Sequence, residues 1–184
     1  ATMAALLPKA PWKAGRTAVL ASGSNYPDAL AAASLAGAYD APIVLTEPNS
    51  LSVDAADMIE QLSPKVIYVV GGEAAVSKAT VDAAAYYAAD GCKVFRIAGN
   101  TRLETSLAIA KRVRQKSTAS DTLIVATGFN YADALSVSPY AFAYMNNLKS
   151  VKVTDFLPTQ SPTFLGLALS VRFLLAVLLL FPNA

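Results

Sequence analysis

The sequence predicts an α/β fold: a three-layer unit with a mainly parallel sheet, repeated, with the second copy incomplete. Three observations predict it. Short apolar runs alternate with helix-like stretches from Thr17 to Met145. Those runs are near-continuously apolar, as in strands covered on both faces. The loop Ser22-Gly23-Ser24-Asn25-Tyr26-Pro27-Asp28-Ala29-Leu30 also returns, 105 positions later, as Thr127-Gly128-Phe129-Asn130-Tyr131-Ala132-Asp133-Ala134-Leu135. Val19–Tyr39 matches Ile124–Tyr144 at 10 of 21 positions without a gap. An internal repeat settles architecture before local signals do.

The elements follow in order. Thr17–Ser22 is apolar and stops at Gly23, which reads as a buried strand. Asp28–Tyr39 is alanine-rich and follows a cap at Asn25 with Pro27 in the first turn, so it reads as a helix. Pro42–Leu45 is a short strand, followed by the loop Glu47-Pro48-Asn49-Ser50. Ser52 caps a helix whose Ala55, Met58, Ile59 and Leu62 form one apolar face. Lys65–Val70 is a strand ended by Gly71-Gly72. A third helix runs from about Ser77 to Ala89 and is stopped by Gly91. Cys92–Ile97 is the next strand. Thr101-Arg102-Leu103-Glu104 has the form of a capping box, and its helix ends near Lys116. Thr122–Thr127 and Asp133–Met145 then repeat the first strand and helix.

Composition limits the chemistry. The 184 residues are 54% hydrophobic, above the usual ~45–50%, and include no histidine and one cysteine, Cys92. An intrachain disulfide, a Cys/His zinc cluster and Ser-His-Asp or Cys-His catalysis are all excluded. Cys92 reads as a small buried hydrophobe. No cofactor or metal is expected. Residues 1–146 carry 12 basic and 12 acidic side chains, and the net +2 comes from Lys149, Lys152 and Arg172 against Asp155. A neutral body argues against nucleic acid as a partner.

Chemistry concentrates where strands give way to helices, the edge at which open α/β sheets bind ligands. Helix N-termini there favour anions. Asn25, Asp28, Asn130 and Asp133 are read both as caps and dipole partners and as ligand contacts. Arg96 and Arg102 suit carboxylate or phosphate recognition, with a structural ion pair as the alternative. Gly71-Gly72 has neither a dinucleotide nor a P-loop spacing and reads as a tight turn. Lys111, Arg112, Arg114 and Lys116 read as a solvated basic face late in a helix.

Three sets of residues resemble the cell-wall-binding repeat, second type, of Gram-positive surface proteins. They are Val19–Ala32 with Ala41–Thr46, then Val69-Val70-Gly71-Gly72 with Ala75-Val76-Ser77, then Arg96-Ile97-Ala98-Gly99 with Arg102 and Thr105. The resemblance covers about residues 1–146. It implies a non-catalytic, secreted module that holds a surface protein non-covalently on the extracellular wall by binding an anionic secondary polymer. It also implies packing against other copies of the repeat around a pseudo-threefold axis. The expected organisation is a first repeat over 1–95 without its opening arginine motif, a partial second repeat over 96–146, and a divergent hydrophobic tail over 147–184. No secretory leader is visible, and the start is read as missing.

The tail breaks the repeat. The first copy continues into Ile43-Val44-Leu45, but the second continues into Leu148 and unrelated sequence. The break is read as a fragment with a shifted frame or truncated gene. Phe164–Phe181 holds one charge, Arg172, and would span about 27 Å as a helix. It is expected to lie outside the repeat core, as an apolar patch, an oligomer contact or a membrane contact. The competing functional reading is a small α/β enzyme acting on a phosphorylated or nucleotide ligand. Wall retention without turnover of such substrates separates the two.

Overall fold

The computed structural model describes residues 15–116, 124–127, 132, 134–139 and 177–180. Four strands and four helices alternate first: β1 Thr17–Ser22, α1 Tyr26–Tyr39, β2 Ile43–Thr46, α2 Val53–Leu62, β3 Val66–Val70, α3 Lys78–Tyr87, β4 Lys93–Ile97 and α4 Arg102–Lys116. Two further strands follow, β5 Ile124–Thr127 and β6 Val177–Leu180. Residues 132 and 134–139, from the repeated first helix, are helical.

β1 to β4 form one parallel sheet in the order β2-β1-β3-β4. Both faces are covered, and the side chains sort with the two-residue period of a strand. Val19 and Ala21 of β1, with Tyr68 and Val70 of β3, pack among Leu35 of α1 and Ile109 and Val113 of α4. Ala18, Leu20, Ile67 and Val69 pack on the other face among Ile59 and Leu62 of α2 and Ala84 of α3. This is the three-layer α/β unit expected, and it explains the continuous apolar runs.

Alanine has a structural reason in α1. Every residue from Ala31 to Gly37 is buried, so the middle of this helix has no solvent face. Small side chains let neighbouring elements approach from several directions at once. Two neighbours are the sheet and α4. The third is the second copy: Ala134 is buried against Leu30 of α1 and Leu103 of α4. Val137 packs against the α1–α4 side of the core.

Helix ends follow from capping, with two corrections. Ser52 Oγ accepts from the Ala55 amide at 3.3 Å, and Ser77 Oγ from the Thr80 amide at 3.2 Å. At α1, Asn25 has the extended backbone of a cap, but its side chain makes no capping bond. Pro27 near the start needs no donor partner there, which lowers the demand for a cap. Gly91 does not end α3. The helix stops at Tyr87 with Ala88 as its cap, and Gly91 turns the chain into β4 with φ of +73°.

The largest correction concerns the tail. Val177–Leu180 is a strand, and it pairs in parallel with β5. Its register reproduces that of the first copy. Ile124 faces Val177 as Val19 faces Ile43, and Thr127 faces Leu180 as Ser22 faces Thr46. The sequence signal was hidden by distance. The repeat offset puts this strand at position 148, whereas it begins 29 positions later, at Val177. The remainder of Phe164–Phe181 lies outside the described residues. Among the described residues, no helix is long and apolar enough to cross a membrane.

Candidate functional site

The sheet order creates a switch point. The connection from β1 leads to β2 on one side, while that from β3 leads to β4 on the other. The chain therefore parts between the carboxyl ends of β1 and β3, where open α/β sheets accept ligands. The loops after β1 and β3 flank this gap. Ser24 Oγ donates to Glu47 Oε2 at 2.7 Å, tying the loop after β1 to the loop after β2.

Gly71 sits at the end of β3 with φ of +100°, a conformation open to glycine and costly for other residues. Space demands glycine as well. A Cβ there would stand 2.4 Å from Asp28 Oδ2 and 2.9 Å from Ala75 Cβ. The Asp28 carboxylate therefore rests directly on the Gly71 backbone, in the first turn of α1. The tight turn read from Gly71-Gly72 is real, and it sets Gly71 against Asp28. Sequence alone gave no sign of it, because the two residues are 43 positions apart.

Burial pushes the Asp28 carboxyl above the usual carboxylate range, and Arg102, at the start of α4, pulls in the opposite direction with lesser effect. Arg96 plays a different part. Its Nη1 donates to Gly71 O at 2.7 Å and its Nη2 to Val76 O at 2.8 Å. Both bonds hold the loop after β3 in shape, so Arg96 is a positioning residue. Its planar fork suits two carbonyls that a lysine could not span.

Arg102 is set by the capping box. Thr101 Oγ1 accepts from the Glu104 amide at 3.2 Å, and Glu104 Oε2 reaches back to the Asn100 amide at 2.7 Å. Gly99 lies so close to this turn that a Cβ would meet Glu104 Cβ at 2.1 Å. The Gly99 amide donates to buried Thr105 Oγ1 at 3.0 Å. Asp28, Arg96, Arg102 and Asn25 thus share the carboxyl edge. Asn130 and Asp133 lie outside the described residues.

A second cluster escaped the sequence reading. Arg112 is not on a solvated face. Its Nη2 donates to Tyr68 Oη at 2.5 Å, and its guanidinium lies 5.2 Å from the Tyr68 ring centre, 5.9 Å from Phe95 and 6.0 Å from Tyr39. Burial, then Tyr68, push the Tyr39 hydroxyl up to about 12. The helical spacing of Arg112 and Lys116 was legible, but the rings beneath them, Tyr39 of α1 under both and Tyr68 and Phe95 of the strands under Arg112, were not. Cys92 is partly buried, and burial raises its thiol above the usual range, which disfavours the reactive thiolate. Among the described residues, no cluster of three or more acidic or thiol groups could hold a metal.

The edge offers charge, hydrogen bonds and amides, the means of binding an anion. The chain is 37% identical over 125 residues to the N-acetylmuramoyl-L-alanine amidase LytC of Bacillus subtilis, which covers 68% of this chain and 24% of the amidase. It is 33% identical over 141 residues to the amidase enhancer of the same organism, covering 77% of this chain and 19% of that protein. Among solved structures it resembles Cwp8 from Clostridium difficile, at 36% identity and a TM-score of 0.61, over 71% of this chain and 22% of that one. It also resembles Cwp6 from the same organism, at 28% identity and a TM-score of 0.64, over 72% and 20%. The chain therefore spans about a quarter or less of these relatives. The model of the Cell wall binding domain 2 (CWB2) family matches residues 1–81 and again 96–160, a doubled match of the kind the internal repeat requires, and the chain belongs to that family.

Proposed function

We propose that this chain is a non-catalytic anchoring module that binds an anionic secondary wall polymer at the carboxyl edge of its sheet, on the extracellular wall. The observation that carries the reading is the placement of Arg102 at the start of α4, on the carboxyl edge of the sheet. It acts there on the partly buried Asp28, while Arg96 shapes the neighbouring loop through two carbonyls. An anionic group arriving there meets a guanidinium and the positive end of a helix together. Asn25 lies at the same edge, and Asn130 and Asp133 are the sequence counterparts of Asn25 and Asp28 in the second copy. Repetition of such edges multiplies weak contacts into retention. Packing of Ala134 on Leu30 and Leu103 supports contact between copies of the repeat.

The family supports the wall as the place of action. The amidase relative has most of its length outside the match, so its activity is not carried over to this chain.

The test is co-sedimentation with protein-free walls from a Gram-positive bacterium. The module should be retained at low salt and released as salt rises, because exposed charge is screened. It should turn over no nucleotide or phosphoester. Turnover of such a substrate, with no wall retention, would establish the enzyme reading instead.

A further inference from the structure

Phe95 lies on the outermost strand of the first sheet and is 43% exposed. One exposed apolar side chain calls for no explanation on its own. This one is held flat and has cations beside it. Its ring stacks on Tyr68 at 5.6 Å, with 28° between the planes. Arg112 fixes these rings: its Nη2 donates to Tyr68 Oη and its Nη1 to Gln115 Oε1 at 3.1 Å. Lys93 stands two residues before Phe95 in β4, so it shares that face of the sheet. Lys116, one turn beyond Arg112, places its Nζ 5.6 Å from the Tyr39 ring centre. Lys93 and Lys116 are both exposed, and neither forms an ion pair among the described residues. The neighbouring carboxylates are Asp40, bonded by Arg16, and Asp90 in the turn before β4. Lys116 is the last residue of α4 and Arg102 the first, which sets their backbones about 21 Å apart. This cluster is therefore separate from the carboxyl edge.

We infer that Phe95, Lys93 and Lys116 form a second binding surface, for a sugar ring of the wall polymer that carries an acidic group. The inference rests on the proposed polymer-binding reading and deepens it. A pyranose presents C–H groups on one face, and these suit the negative face of an aromatic ring. Its carboxylate or phosphate then meets the lysine ammonium groups near that ring. Charge alone does not call for the ring, and a neutral sugar does not call for the lysines. The two together match an acidic saccharide. A polymer that reaches both this surface and Arg102 gains retention from two holds on one module.

The experiment measures binding isotherms of the full chain on protein-free Gram-positive walls, at low and high salt. It compares the wild type, Phe95→Leu, the pair Lys93→Ala with Lys116→Ala, and a charge-matched pair, Lys111→Ala with Arg114→Ala. Leucine keeps an apolar side chain but loses the flat face. Phe95→Leu should bind about fivefold more weakly at each salt concentration, because a ring contact is not screened. The Lys93 and Lys116 pair should bind more weakly at low salt and approach the wild type as salt rises. The charge-matched pair should lose less. Coincident isotherms for Phe95→Leu and the wild type would overturn the inference while leaving wall binding intact. Equal losses in the two pairs would overturn it as well, since net charge would then be the cause. No retention of the wild type would remove the wall reading and the inference together. If Phe95→Leu fails to fold, the two pairs decide, because all four of their positions are exposed.

Discussion

Gly71 and Asp28 meet where β3 ends and α1 begins, with the carboxylate oxygen occupying the space a β-carbon would need. This contact joins the strand, the helix and the candidate site, so it is the place to perturb. Gly71→Ala should destabilise the chain by about 1–3 kcal/mol from its left-handed backbone alone, with the collision adding to that. The neighbouring Gly72 has open space around its missing side chain. Gly72→Ala should change the thermal midpoint little. Equal effects from the two variants would show that neither the left-handed backbone nor the closeness of Asp28 makes Gly71 costly to replace.

Arg96→Ala should destabilise by about 2 kcal/mol, since it removes two charge-assisted bonds to backbone carbonyls. Arg96→Lys should recover only part of this, because an ammonium cannot span both acceptors. Urea unfolding of the three proteins measures the order. A lysine variant as stable as the wild type would reduce Arg96 to a surface charge.

Tyr39 gives the fold a sensitivity to alkali. Its hydroxyl is raised in the folded state from 10.0 to about 12. A group raised on folding contributes stability that is present below its unfolded pKa and lost as pH rises through the folded one. The thermal midpoint should therefore fall between about pH 10 and pH 12, and Tyr39→Phe should blunt the fall. Hydroxyl absorbance and melting, followed together, measure this. An identical decline in the phenylalanine variant would move the cause elsewhere.

The β5–β6 pair should separate from the first sheet. β6 pairs with β5, while β1 to β4 form their own sheet. Leu178→Pro removes a backbone donor within the pairing and should strip protection from the amides of Ile124–Thr127 in hydrogen exchange. The amides of β1 and β3 should keep theirs. Loss of protection in both sheets would show that the tail strand belongs to one cooperative core.

Most of the architecture was legible because it rests on local signals. Strand runs, the caps at Ser52 and Thr101, and the repeated loop are each read within a few residues. What sequence could not show depends on contacts between distant positions. Gly71 under Asp28, Arg96 on Gly71 and Val76, and Arg112 among Tyr39, Tyr68 and Phe95 each join different elements. β6 was hidden because its strand begins late and lies in a run long enough to suggest a helix. Asn25, Asp28, Arg96 and Arg102 were assigned to the carboxyl edge by type and position, whereas the hold of Arg96 on two loop carbonyls needed the structure.

Arg102 is proposed to hold an anionic wall polymer at the carboxyl edge of the sheet. Co-sedimentation of the wild type and Arg102→Ala with protein-free Gram-positive walls, across rising salt, tests it most directly. Retention of the variant should fall clearly at low salt and depend less on salt than that of the wild type. Equal retention of the two proteins, released at the same salt, would contradict it.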